Sequence, residues 1–143
     1  MDIFEPKKVV FTSHSKYFFY FRMLICKYVL ERDYIPLNPF NVWGYFVYEL
    51  VDRALVRRGN YNIIRAADEL WVFGPITDGV LTEIEYAMKM KKPIKFFTVG
   101  NKYEDISPLG INDLIFEKGA SAGKTKEDLT EMLKSYISTI GEK

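Results

Sequence analysis

Residues 67–99 set the pattern for the chain. Residues 70–73 form a short apolar run with no polar face, and Gly74-Pro75 stops it. Thr77-Asp78-Gly79 then supplies a turn and a helix cap. Val80, Leu81, Ile84, Ala87 and Met88 recur at helical spacing, Pro93 ends that helix, and residues 94–99 are a second apolar run. Strand, turn, helix and strand in this order predict one βαβ unit with two buried parallel strands. In open sheets of that kind ligands sit beyond the carboxyl ends of the strands. That rule places the candidate site between Gly74 and Glu83.

The rest of the chain extends the unit. Residues 9–11 read as a first strand, and Thr12-Ser13-His14-Ser15 follows as a hydroxyl-rich loop. Residues 17–31 have the length and content of a helix, with Phe18, Phe21, Ile25, Tyr28 and Val29 near one face. Residues 35–37 are a short second strand, placed at a sheet edge by Pro36 and Pro39. Asn38 to Asn41 is a turn and a helix cap. Trp43, Phe46, Val47, Leu50, Val51, Ala54 and Leu55 follow an i, i+3, i+4 series, which predicts a long amphipathic helix ended by Gly59-Asn60. A short helix over 61–67 leads into strand three. Residues 101–112 carry no clear pattern. Residues 114–117 read as a fifth strand, 119–125 as a Gly/Ser turn, and Thr125 as the cap of a last amphipathic helix through Leu129, Met132, Leu133, Tyr136 and Ile137. The economical architecture is α/β and doubly wound: a single domain over 1–143 with a mostly parallel five-stranded sheet ordered 2-1-3-4-5.

Composition narrows the function classes. The chain has 143 residues, 48% of them apolar, which suits one globular domain. The formal net charge of +1 gives no warrant for nucleic acid or an anionic membrane as partner. Its apolar stretches are broken by charges well before a membrane span, and the N-terminus does not resemble a signal peptide, so a soluble, cytoplasmic protein is expected. One Cys and one His argue against a dedicated metal site. No cofactor is called for.

Glu83 is the residue whose place invites chemistry. It lies in the first turns of a helix, where the macrodipole favours an anion. The apolar stripe is centred between Val80 and Ile84, and Glu83 and Glu85 fall on its two flanks. Periodicity does not choose between them; Glu83 is nearer the ligand end. His14, in the loop after strand one, lies at the same sheet edge. Ser13 and Ser15 suit either an anion or a helix cap. Residues 119–125, GASAGKT, resemble a phosphate-binding loop but are one residue short of G-x-x-x-x-G-K-[ST], so a helix-capping turn is the better reading. Arg57-Arg58 and Lys89, Lys91 and Lys92 read as solvated faces.

Leu37-Asn38-Pro39-Phe40, Arg65-Ala66-Ala67-Asp68 before an apolar strand, Asp78-Gly79-x-x-x-Glu83-Ile84-x-Tyr86-Ala87 and Lys92-Pro93-Ile94 together resemble the nucleoside 2-deoxyribosyltransferases and the related deoxynucleotide N-hydrolases. The resemblance covers residues 9–99 and fades after them. It implies a flavodoxin-like (Rossmann-like) three-layer sandwich and cleavage of an N-glycosidic bond in a nucleoside or nucleotide, with Glu83 as the nucleophile on the anomeric carbon. Asp78, Asp68, Asn60 and Asn62 would then serve the leaving base. Thr12, Ser13, His14, Ser15, Asn38, Gly74 and Gly79 would line the substrate site, with Ser13, His14, Ser15 and Arg22 favouring a 5′-phosphate. The family's assembly implies a homodimer or higher homo-oligomer. Three positions depart from its pattern. Phe11 stands where the family usually has a Tyr that contacts the nucleophile. Asp78 is one residue later than the usual loop acid, at Thr77. Glu85 replaces the Gly after Glu-Ile. A catalytically inactive nucleotide-binding module is the alternative these departures support.

Overall fold

The computed structural model describes residues 1–117 and 124–141. Among these residues four strands, β1 (Val9–His14), β2 (Ile35–Leu37), β3 (Glu69–Phe73) and β4 (Ile94–Phe97), form one sheet ordered β2-β1-β3-β4. All three pairings are parallel. Five α-helices accompany them: α1 (Arg22–Glu31), α2 (Pro39–Trp43), α3 (Arg53–Ala66), α4 (Asp78–Lys89) and α5 (Lys126–Gly141). No helix among the described residues is long and apolar enough to cross a membrane.

Side-chain alternation along the strands builds two cores. Phe11, Leu70, Val72, Ile94 and Phe96 face Ile64 of α3, Val80, Leu81, Ile84 and Ala87 of α4, and Leu129 and Leu133 of α5. Val10, Trp71, Phe73 and Phe97 face Phe21 and the α1 residues Ile25, Tyr28 and Val29. The result is a sheet with helices on both faces. Thr125 caps α5 as expected: its Oγ1 accepts from the Asp128 N–H at 3.1 Å.

The fifth strand is not formed. The 114–117 stretch makes a single parallel bridge, Ile76 with Phe116, beyond the end of β3 and not beside β4. The Ile76 N–H donates to Ile115 O at 2.8 Å and the Glu117 N–H to Ile76 O at 2.9 Å. The outer edge of β4 is met by residues 107–109 running antiparallel, with Thr98 N–H donating to Ser107 O and Leu109 N–H to Phe96 O. Pro108 has no N–H, so that pairing stays short. The Gly/Ser turn expected at 119–125 lies largely outside the described residues.

Three helix assignments also change, among them the short helix expected over 61–67, which is the end of α3. The long helix expected through Trp43 and Leu55 is broken. Gly44, at φ +79°, ends α2, a 3-10 turn covers Phe46–Glu49, and Asp52 starts α3 by accepting the Ala54 N–H at 2.9 Å. The apolar stripe therefore never becomes one buried face: Phe46 is 68% and Leu50 79% exposed. Conversely, Gly59-Asn60 does not end a helix but lies within α3. Gly59 is there for close approach, since a Cβ would come within 2.6 Å of the Trp43 ring. The helix expected over 17–31 starts as a 3-10 turn, Lys16–Phe21, before α1.

Candidate functional site

The site grows from the carboxyl half of β1. Phe11 and Ser13 alternate with Thr12 and His14, so Ser13 points toward the face covered by α3 and α4. There its hydroxyl donates to Glu83 Oε1 at 2.6 Å. Thr77 caps α4 by accepting the Val80 N–H at 3.2 Å, and this fixes the rotation of the helix. Val80, Leu81, Ile84 and Ala87 then face the core, Glu85 is exposed, and Glu83 turns toward Ser13. Phe11 lies two residues earlier on the same face of the strand and has no hydroxyl to offer. Phe11 itself is fully buried.

Glu83 keeps some solvent-accessible surface, yet protein atoms surround its carboxyl closely. Burial pushes its pKa up from 4.5 to about 7, against the opposing Ser13 hydrogen bond. Glu83 is the sixth residue of α4, beyond the reach of the helix N-terminal dipole, so desolvation governs it.

Glu83 opens onto a recess of about 330 Å³ between α3 and α4, shared with Arg57, Asn60, Asp78, Thr82 and Tyr86. Asp78 and Gly79 are exposed at its rim. Asn60 is held by Trp43, whose Nε1–H donates to Asn60 Oδ1 at 2.8 Å. Burial, and to a smaller degree the Glu83 charge, raise the pKa of the Tyr48 phenol, against the opposing influence of the Asn60 amide. A second recess, about 290 Å³, lies between Lys16, Phe40, Tyr45, Tyr48, Arg53 and Arg57, with Glu49 also on its wall. Arg57 lines both recesses.

A larger recess of about 590 Å³ sits elsewhere, at the outer edge of β4 around Tyr34, Trp71 and Lys95. Its wall is mostly apolar and its cations are engaged. Lys95 lies 3.6 Å from the buried Glu69 carboxylate, and Arg32 stacks on Tyr28. It therefore offers less chemistry than the Glu83 recess.

The other residues singled out by sequence divide into two groups. Thr12, His14, Ser15 and Asn38 lie at the right edge but bond to protein. Asn38 Nδ2 donates to Thr12 Oγ1 at 2.8 Å and meets His14 Nε2 at 3.0 Å, while its Oδ1 accepts the Phe40 N–H that starts α2. With Nε2 accepting, the Nδ1–H of His14 donates to Ser15 O at 2.8 Å, which assigns a neutral ring. Burial, and to a smaller degree the nearby Arg22, depress its pKa to about 4, against the opposing Ser15 bond. Ser15 Oγ caps the 3-10 turn by accepting the Tyr17 N–H, so it takes the cap role of the two that were open. Arg22 donates to Asn41 Oδ1 and Phe19 O and stacks on the Phe19 ring. Gly74 serves the backbone: its φ of +83° and the 2.7 Å approach of Val99 to a Cβ position leave room for no side chain.

Asp68 and Asn62 do not join the site. Asp68 precedes β3 and its carboxylate accepts the Val9 N–H at 2.7 Å, at the amino edge of the sheet. Because parallel strands put their starts together, a residue just before β3 cannot reach the end of β1. Asn62 is exposed on α3, bonded to Arg58 O and Arg65. The sequence pattern singled out neither Tyr48 nor Thr82, gave Tyr86 only as part of the motif around Glu83, and placed Arg57 on a solvated face. The available signal for Arg57 was its i, i+4 spacing from Arg53 and its i, i+3 spacing from Asn60.

No curated protein matches the sequence. Residues 19–97, more than half of the chain, match the family described as a domain of unknown function, DUF7768, and the chain belongs to that family.

Proposed function

We propose that this protein cleaves or transfers the N-glycosidic bond of a (deoxy)nucleoside or nucleoside 5′-monophosphate, with Glu83 as the nucleophile. The observation that carries this reading is the pair of Ser13 and Glu83: a half-buried carboxylate, held by one 2.6 Å hydrogen bond and opening onto a recess at the carboxyl end of β1. A carboxylate is a competent nucleophile toward an oxocarbenium-like carbon. Attack on C1′ forms a glycosyl ester and releases the base with the bonding pair; water or a second base then displaces Glu83 with net retention. The departing base needs a proton, and Asp78 is the other carboxyl lining the recess. Ser13 acts as a positioning residue through its bond to Glu83.

The test is base release from deoxynucleosides and deoxynucleotides, followed by chromatography, for the wild type and Glu83→Gln. The variant is expected to retain ligand binding and lose base release by orders of magnitude, because the covalent step is removed. A 2-fluoro sugar analogue should add its mass to the peptide carrying Glu83. Equal activity of both proteins removes Glu83 from the mechanism. A wild type that binds a nucleotide and releases no base supports the binding module instead. The half-ionised state of Glu83 near pH 7 and the distance of Asp68 from the recess favour that second reading.

Assembly into at least a homodimer belongs to the same proposal. Phe46, Leu50, Val51 and Leu55, close together in the sequence, are all exposed large apolar residues, which suits a surface covered by a protein contact. A light-scattering mass of one chain at micromolar concentration would remove this part.

A further inference from the structure

The residues at the end of β1 and after it that the resemblance offers to a 5′-phosphate are committed to protein partners: His14 to Ser15 O and Asn38, Ser15 to Tyr17 N–H, Arg22 to Asn41 and Phe19. Positive charge gathers elsewhere. Lys16 opens the 3-10 turn after β1, and Arg53 and Arg57 stand one turn apart on α3. All three line the second recess against the rings of Tyr45 and Tyr48, with Glu49 as the one carboxylate there. The ion pairs within 4.0 Å among the described residues involve neither Lys16, Arg53 nor Arg57. Three cations against one carboxylate leave an excess of two positive charges, and Arg57 carries that excess to the wall of the Glu83 recess.

We propose that Lys16, Arg53 and Arg57 form an anion subsite of the Glu83 site, which takes the phosphate monoester of a nucleoside 5′-monophosphate. This rests on the N-glycoside reading of Glu83. The phosphate dianion matches the local excess charge, and two guanidinium forks on one helix face suit its oxygens. With the phosphate against Arg53 and Lys16, the sugar crosses Arg57 and brings its anomeric carbon toward Glu83. The phosphate thereby sets the register of the sugar, so its binding energy is available to orient C1′.

The experiment is calorimetric titration of the full chain with the four 2′-deoxynucleosides, their 5′-monophosphates and inorganic phosphate, with base release measured on the same mixtures. At least one monophosphate is expected to bind about tenfold or more tightly than its nucleoside, the usual effect of charge-assisted hydrogen bonds. Arg53→Gln and Lys16→Gln should each shrink that preference toward unity. Arg58→Gln, a cation of the same helix that lines neither recess, should leave it in place. Equal binding of nucleosides and monophosphates overturns the subsite. So does a preference that survives Arg53→Gln, the binding of no monophosphate, or inorganic phosphate binding as tightly as the nucleotide. The two readings separate cleanly. A preference that depends on Arg53 without base release keeps the subsite and removes the glycosidase. Base release that ignores the phosphate keeps the glycosidase and removes the subsite.

Discussion

Glu83→Gln should make the folded protein more stable at alkaline pH and leave it unchanged in acid. The folded carboxyl titrates near 7 against an ordinary value of 4.5, because burial disfavours its charged form. Its contribution to stability is fully present below 4.5 and is lost as pH rises through 7. At 1.36 kcal/mol per pH unit the full cost of ionisation in the fold is roughly 3 kcal/mol. Glu83 keeps some solvent contact, which brings the expected effect to about 2 kcal/mol. Glutamine has the same shape, and its carbonyl can still accept the Ser13 hydrogen bond, so the substitution removes little but the charge. Thermal unfolding followed by circular dichroism at pH 8 should place Glu83→Gln roughly 5–10 °C above the wild type. Near pH 4.5 the two curves should nearly coincide. His14 and every other titrating group are common to both proteins and cancel in the comparison. A gap of the same size at both pH values would mean that charge burial is not its cause. A variant less stable than wild type at pH 8 would mean that Glu83 is stabilised as the anion, and the desolvation argument would fail.

Three further outcomes follow from the same geometry. Ser13→Ala removes the one hydrogen bond that lowers the Glu83 pKa; the alkaline-rising limb of the pH–rate profile should move to higher pH, with kcat falling more than KM, whereas a purely structural role would leave the limb in place. Gly59→Ala improves helix propensity yet should destabilise by about 1–3 kcal/mol, because the new Cβ meets the Trp43 ring at 2.6 Å; denaturant unfolding reads this, and a more stable variant would refute the packing. The His14 ring should stay neutral down to about pH 4 in the folded protein, as its proton NMR shifts will report. Since its folded pKa lies below the ordinary 6.5, the stability it contributes above 6.5 should be lost as pH falls toward 4; a midpoint near 6.5 would show an open ring.

The sequence by itself determined the βαβ centre of this protein. The apolar run of β3 has no polar face, Thr77 is a competent cap, and Pro93 stops the following helix, so each element is encoded within its own few residues. Glu83 was legible for the same reason: its place follows from the local end of a strand and the start of a helix. What depended on neighbours distant in sequence was not legible. The stripe from Trp43 to Leu55 has helical spacing, but Gly44 and Asp52 divide it. Gly59, which looks like a helix stop, is a contact point for Trp43 within α3. Residues 114–117 have the composition of a strand, yet the antiparallel return of 107–109 occupies the outer edge of β4 and leaves them a single bridge with Ile76. Asp68 and Ser13 show the difference most directly. Both are polar residues near strands, but parallel pairing sends the start of β3 to one edge and the end of β1 to the other. Only the tertiary structure decided that Ser13, 70 residues from Glu83 in the chain, would hold its carboxylate. Only it decided that Arg57, on a face the pattern read as solvated, would stand between two recesses. Local pattern records which face of an element is apolar; what a polar residue on the flank of that face meets is set by the packing of other elements against it.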